Sequence, residues 1–133
     1  MKKILVVDDD PAIRKLLKTM LSRQGFDVMV AEDGHAAVKL MQTASVDLVI
    51  TDIFMPEQDG LETIAELRRL CPELKIMAMS GGSSLLDPQP YLHVAEIMGA
   101  DVIFDKPVAM GNLLQTIEDL FDAEIIARAV SSA

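Results

Sequence analysis

Apolar residues run along this chain in two rhythms that take turns. Ile4-Leu5-Val6-Val7 is a short continuous apolar run, and Ile13, Leu16, Leu17, Met20 and Leu21 then recur at helical spacing. Between them, Asp10 suits an N-cap and Pro11 the first helical position, where its missing N–H is no loss. Gly25 closes that helix. The pattern predicts a second strand over 26–31, a helix opened by Asp33-Gly34 and carrying Ala37, Val38, Leu40 and Met41, and a third strand over 46–51. That third run is almost wholly apolar, as expected of a central strand covered on both faces.

A loop over 52–60, punctuated by Pro56 and Gly60, leads to a helix begun by Leu61, Ile64, Ala65 and Leu67 and ended at Cys71-Pro72. A fourth strand is predicted over 75–79, closing at Ser80-Gly81-Gly82. A loop rich in Gly, Ser and Pro then precedes a short helix over 91–98, which Gly99 stops. A fifth strand covers 102–104, and a last helix runs from 110 to about 130 with Leu113, Leu114, Ile117, Leu120 and Phe121 inward.

Five such βα units predict an α/β fold. Right-handed crossovers between parallel strands put helices on both faces, giving a doubly wound sandwich around a five-stranded parallel sheet. No repeat, low-complexity stretch or linker stands out, so residues 1–133 are expected to be a single domain, long enough to bury a core.

Composition adds exclusions. No apolar run is long enough to span a membrane, and Met1-Lys2-Lys3 leads straight into a short strand, so a cytoplasmic protein is expected. One cysteine, Cys71, cannot form an intrachain disulfide; it reads as a small helix-end residue. A formal net charge of −9 argues against direct binding to nucleic acid or an anionic membrane. His35 and His93 have no second ligand at metal spacing and read as surface residues.

The chemistry sits where strands end. Asp8, Asp9 and Asp10 follow the first strand, Asp52 follows the third, and Lys106, before Pro107, follows the fifth. Carboxyl ends of parallel strands share one edge, so these residues can meet in one crevice. Crowded carboxylates raise one another's pKa unless a cation sits between them. An all-oxygen site suits a hard divalent ion such as Mg²⁺, which takes one or two carboxylates plus waters and phosphate oxygens. The charge on Asp8, Asp9 and Asp52 would balance Mg²⁺ plus Lys106, leaving the site ready for a phosphoryl group. The ordinary alternative is a set of solvated loop acids in an acidic protein.

Val6-Val7-Asp8-Asp9, Asp52 followed by Met55-Pro56 and Gly60, Ser80 at the end of strand four, and Lys106-Pro107 together resemble a response-regulator receiver domain of two-component signalling. The resemblance spans nearly the whole chain, and it implies a flavodoxin-like fold of strand order 2-1-3-4-5. It further implies that Asp52 takes a phosphoryl group from a phosphohistidine on a sensor histidine kinase or a histidine phosphotransfer protein. Asp9 and Asp52 would hold Mg²⁺, Asp8 would act directly or through water, and the Phe54 carbonyl would complete the set. Lys106, aimed by a cis bond to Pro107, and the Ser80 hydroxyl would contact the phosphoryl group. The signal would pass to a downstream protein through the loop after strand four, the helix that follows it, strand five and the last helix.

Two departures bear on output. Many receivers carry Tyr or Phe three residues before the lysine; here it is Ile103. Phe104 is adjacent, but successive strand residues point to opposite faces, so it cannot simply replace the missing ring. The loop over 81–90, with Leu85 and Leu86, then either reports phosphorylation together with Tyr91 or only staples itself to the core; exchange data unchanged on phosphorylation would refute reporting. Phe54 and Gly82, two residues beyond Asp52 and Ser80, cannot orient an attacking water by a side-chain hydrogen bond. Slow self-dephosphorylation is expected, and rapid phosphate loss from purified protein would refute it.

Two other classes compete. Asp8 and Asp10 imitate the Asp-x-Asp nucleophile motif of haloacid-dehalogenase-like phosphatases, but no further acidic strand-end motif follows Lys106 and no cap is visible. A receiver that works without phosphorylation is the other, although Asp8, Asp9, Asp52, Ser80 and Lys106 are all present. The chain reads as a stand-alone receiver or one excised from a longer protein.

Overall fold

The structure, a computed structural model, describes residues 2–53, 60–80, 99–105 and 109–131. Phe54, Lys106, Pro107, the loop over 81–90 and the helix expected over 91–98 lie outside the described residues.

Five parallel strands, β1 (Lys3–Val7), β2 (Asp27–Ala31), β3 (Leu48–Asp52), β4 (Lys75–Ser80) and β5 (Val102–Asp105), form one sheet in the order β2-β1-β3-β4-β5. Four helices are described: α1 (Pro11–Arg23), α2 (Gly34–Met41), α3 (Gly60–Leu70) and α4 (Met110–Ser131). Strand alternation sorts the core into two layers. Leu5, Val7, Val49, Ile76 and Ala78 pack under α2 and α3 with Ala37, Ile64 and Leu67. Ile4, Val6, Leu48, Ile50, Met77 and Met79 pack under α1 and α4 with Leu17, Leu21, Leu113, Ile117 and Phe121. Ile103 joins the first layer and Phe104 the second, so the two do face opposite ways.

The caps follow the sequence. Asp10 accepts from the Ala12 amide at 2.9 Å and Asp33 from the Ala36 amide at 2.8 Å, each closing the open end of a helix. At the far end of α1, Gly25 takes φ +93°. Its amide donates to the Ser22 carbonyl and that of Phe26 to the Leu21 carbonyl, a Schellman ending that needs a left-handed residue.

Three expectations need adjusting. Leu16, predicted on the inward stripe of α1, is 52% exposed: only one side of the helix meets the sheet, and Leu17 and Leu21 fill that seam. β3 starts at Leu48 rather than 46, because Asp47 turns its carboxylate back onto the Lys3 amide at 2.8 Å; Val46 is buried but off the strand. β3, β4 and β5 each run one residue further than predicted, since Asp52 pairs with Met79 and Ser80 with Asp105.

Candidate metal centre

Register brings the acidic residues together. β1 pairs with β3 so that Val7 lies opposite Thr51, which makes Asp8 and Asp52 neighbours on adjacent strands. Adjacent strands lie about 4.8 Å apart. Asp8 continues the alternation of Ile4 and Val6, and Asp52 that of Leu48 and Ile50, so both leave the sheet on the α1–α4 side. Asp9 follows in the turn to α1. One carboxylate oxygen from each of Asp8, Asp9 and Asp52 lies within 4.8 Å of the others.

The backbone around them is pinned. The Asp8 amide donates to the Ala31 carbonyl at 3.2 Å, and the Ile53 amide to the Met79 carbonyl at 3.0 Å, so β2 and β4 hold the two sides of the crevice. The buried Thr51 hydroxyl donates to the Asp52 carbonyl at 3.0 Å. Asp8 and Asp52 are only 1% and 6% exposed, whereas Asp9 faces solvent. Burying two carboxylates beside a third is costly without positive charge nearby. Three close oxygen donors, one open to water, suit a hard divalent ion that keeps part of its hydration shell.

The same register extends across the sheet. Asp52 pairs with Met79, Ser80 follows as the last residue of β4, and Ser80 pairs with Asp105, the residue before Lys106. The backbone therefore carries the ends of β1, β3, β4 and β5 along one edge in the order the family resemblance implied.

What sequence reading missed lies at the opposite edge. Arg68, near the end of α3, donates through Nη1 to the carbonyls of Pro72 at 2.7 Å and Leu74 at 2.6 Å. Its Nη2 donates to the Gly99 carbonyl at 2.6 Å and to Asp101 Oδ2 at 3.0 Å. The same Asp101 oxygen accepts from the Ile76 amide at 2.8 Å. Gly99 has φ +123°, and a Cβ there would stand 3.0 Å from Arg68 Nε, so both backbone and space demand glycine. The available signal was an acid directly before each of two strands, Asp47 before β3 and Asp101 before β5.

Comparison with known proteins agrees with the geometry. Residues 4–118 match the family model described as the response regulator receiver domain. The transcriptional regulatory protein GlrR of Escherichia coli is 33% identical over 119 residues, covering 90% of this chain and 26% of that protein. The response regulator MprA of Mycolicibacterium vanbaalenii is 36% identical over 118 residues, 89% of this chain and 49% of that protein. The chain thus spans about a quarter to a half of the length of these curated relatives. Among solved structures, a CheY-like receiver domain protein from Methanospirillum hungatei superposes with TM-score 0.87 at 28% identity, covering 96% of this chain and 98% of that one. TrrA from Thermotoga maritima, solved in complex with Mg²⁺ and BeF, gives TM-score 0.78 at 36% identity, over 90% and 99% of the two chains.

The chain belongs to the response-regulator receiver family. Its members are signalling modules of two-component systems that accept phosphoryl groups from histidine kinases and carry an acidic Mg²⁺ pocket. Among the described residues, no helix is long and apolar enough to cross a membrane.

Proposed function

We propose that Asp52 is the phosphoacceptor of this chain and that Asp8, Asp9, Asp52 and the Phe54 carbonyl hold Mg²⁺ beside it. The observation that carries this reading is the convergence of three carboxylates within 4.8 Å at the ends of β1 and β3, with Asp8 and Asp52 buried. An oxygen of Asp52 attacks the phosphorus of a phosphohistidine; the new O–P bond forms as the N–P bond breaks, and the imidazole leaves. Bound Mg²⁺ supplies neutralising charge to the phosphoryl oxygens. Lys106 supplies a second cation from the end of β5, and the Ser80 hydroxyl donates to a phosphoryl oxygen. Fixed charges of this kind need no reorganisation when the group arrives, which is where most of the rate is gained.

The donor is a sensor histidine kinase or a histidine phosphotransfer protein, and the recipient of the signal is another protein. A net charge of −9 disfavours direct contact with nucleic acid. GlrR and MprA are named as regulators, and this chain matches 26% and 49% of their lengths; residues 1–133 act as one receiver unit, a reading supported by the family match over 4–118. Loss of the phosphoryl group to water is slow, and the change in Ser80 is relayed without an aromatic at Ile103.

Intact-mass measurement after incubation with Mg²⁺ and a small phosphodonor tests the assignment. Wild type should gain one phosphoryl group and Asp52→Asn none. Labelling of Asp52→Asn to the wild-type extent would sink it, and turnover of small phosphoesters would favour a phosphatase instead.

A further inference from the structure

Among the described residues, a cation outside the carboxylate cluster holds the turn that carries Asp8 and Asp9. Arg14 is half-buried in the first turns of α1, and its Nη1 donates to the main-chain carbonyl of Asp8 at 2.7 Å. In the same turn the Asp10 amide donates to Asp8 Oδ1 at 2.9 Å, and the Arg14 amide donates to the Asp10 carbonyl at 3.1 Å. The Asp8 amide is tied to Ala31 across the strand gap. Asp8 is thus held at its amide, its carbonyl and one carboxylate oxygen. The carbonyl that Arg14 grips belongs to the planar peptide unit joining Asp8 to Asp9, so holding that oxygen orients the plane both Cα atoms share and narrows the directions in which the two side chains leave the backbone.

We propose that Arg14 is a positioning residue for the metal centre: its hydrogen bond to the Asp8 carbonyl keeps the Asp8 and Asp9 carboxylates aligned with Asp52. The proposal rests on the Mg²⁺ reading of that site. Charge alone predicts the opposite sign. A guanidinium near three carboxylates competes with a metal ion for their field, so deleting it would tighten Mg²⁺ binding. Deleting a hydrogen bond that orients the ligands loosens binding, typically by about 10-fold or more.

The sign is therefore the test. Mg²⁺ is titrated into metal-free wild type, Arg14→Ala and Arg14→Met, followed by calorimetry and by backbone amide resonances. Arg14→Met keeps the apolar stem and so preserves the packing of α1 while removing the donor. Both variants should bind Mg²⁺ about 10-fold more weakly. The Asp9 and Asp10 amides should already be shifted before metal is added, with amides of the α2–α3 layer unmoved. Affinity in Arg14→Met equal to or tighter than wild type overturns the proposal while the metal site stands. Absence of Mg²⁺ binding in wild type removes the metal reading itself, and this inference with it.

Discussion

Aspartates stand at both edges of the sheet and do opposite things there. At the amino edge, Asp47 and Asp101 turn back onto backbone amides, those of Lys3 and Ile76, and Asp101 shares a guanidinium with three carbonyls. Each carboxylate there closes a strand entrance, and Arg68 draws the end of α3 together with the starts of β4 and β5. At the carboxyl edge, Asp8, Asp9 and Asp52 turn toward one another. A carboxylate facing amides stabilises the fold, while carboxylates facing each other repel. Residue type does not separate the two sets of aspartates; the groups each faces do, and Asp8, whose Oδ1 accepts from the Asp10 amide while it joins the cluster, shares in both.

The contrast breaks most visibly through Arg68. Arg68→Ala removes four hydrogen bonds, leaving Asp101 its bond from the Ile76 amide, and should cost about 3 kcal/mol in urea unfolding, with Mg²⁺ affinity unchanged. A large drop in Mg²⁺ affinity in that variant would show that the edges are coupled. At the other edge, Mg²⁺ at about 100 times its dissociation constant should raise stability by about 2.7 kcal/mol, and chelation should reverse the gain. Asp9→Asn should abolish most of that gain, whereas Asp101→Ala should keep it; equal gains in both would erase the distinction. The smallest effect belongs to Asp47→Ala. It loses one hydrogen bond at a strand entrance and should cost about 1 kcal/mol, read from the shift in the unfolding midpoint.

Much of the candidate site was legible because parallel strands place their ends on one edge whatever the packing between them. Asp8 and Asp9 follow the run Ile4-Leu5-Val6-Val7, and Asp52 stands just past Leu48-Val49-Ile50 with Thr51 between, so finding the runs located the acids. Leu16 was misread because helical spacing cannot say how wide a stripe the neighbouring sheet will cover. The Arg68 clamp was invisible for a related reason: besides Pro72 and Leu74 it holds the Gly99 carbonyl and the Asp101 carboxylate, 31 and 33 residues away, and no local pattern links a helix-end arginine to those. Nothing in the sequence singles out Arg14, since its partner is a main-chain carbonyl that every residue possesses.

By itself, the order of residues determined the alternation of strands and helices, the caps at Asp10 and Asp33, the left-handed stop at Gly25 and the acids at strand ends, because each is set by neighbours within a turn or a single strand. Tertiary structure decided how closely those acids meet. The pairing of Val7 with Thr51 sets Asp8 beside Asp52, and a shift of one residue in that register would turn one of the two carboxylates to the other face of the sheet. Register is a property of two strands held under a shared core, so it exists only once both layers of that core have closed.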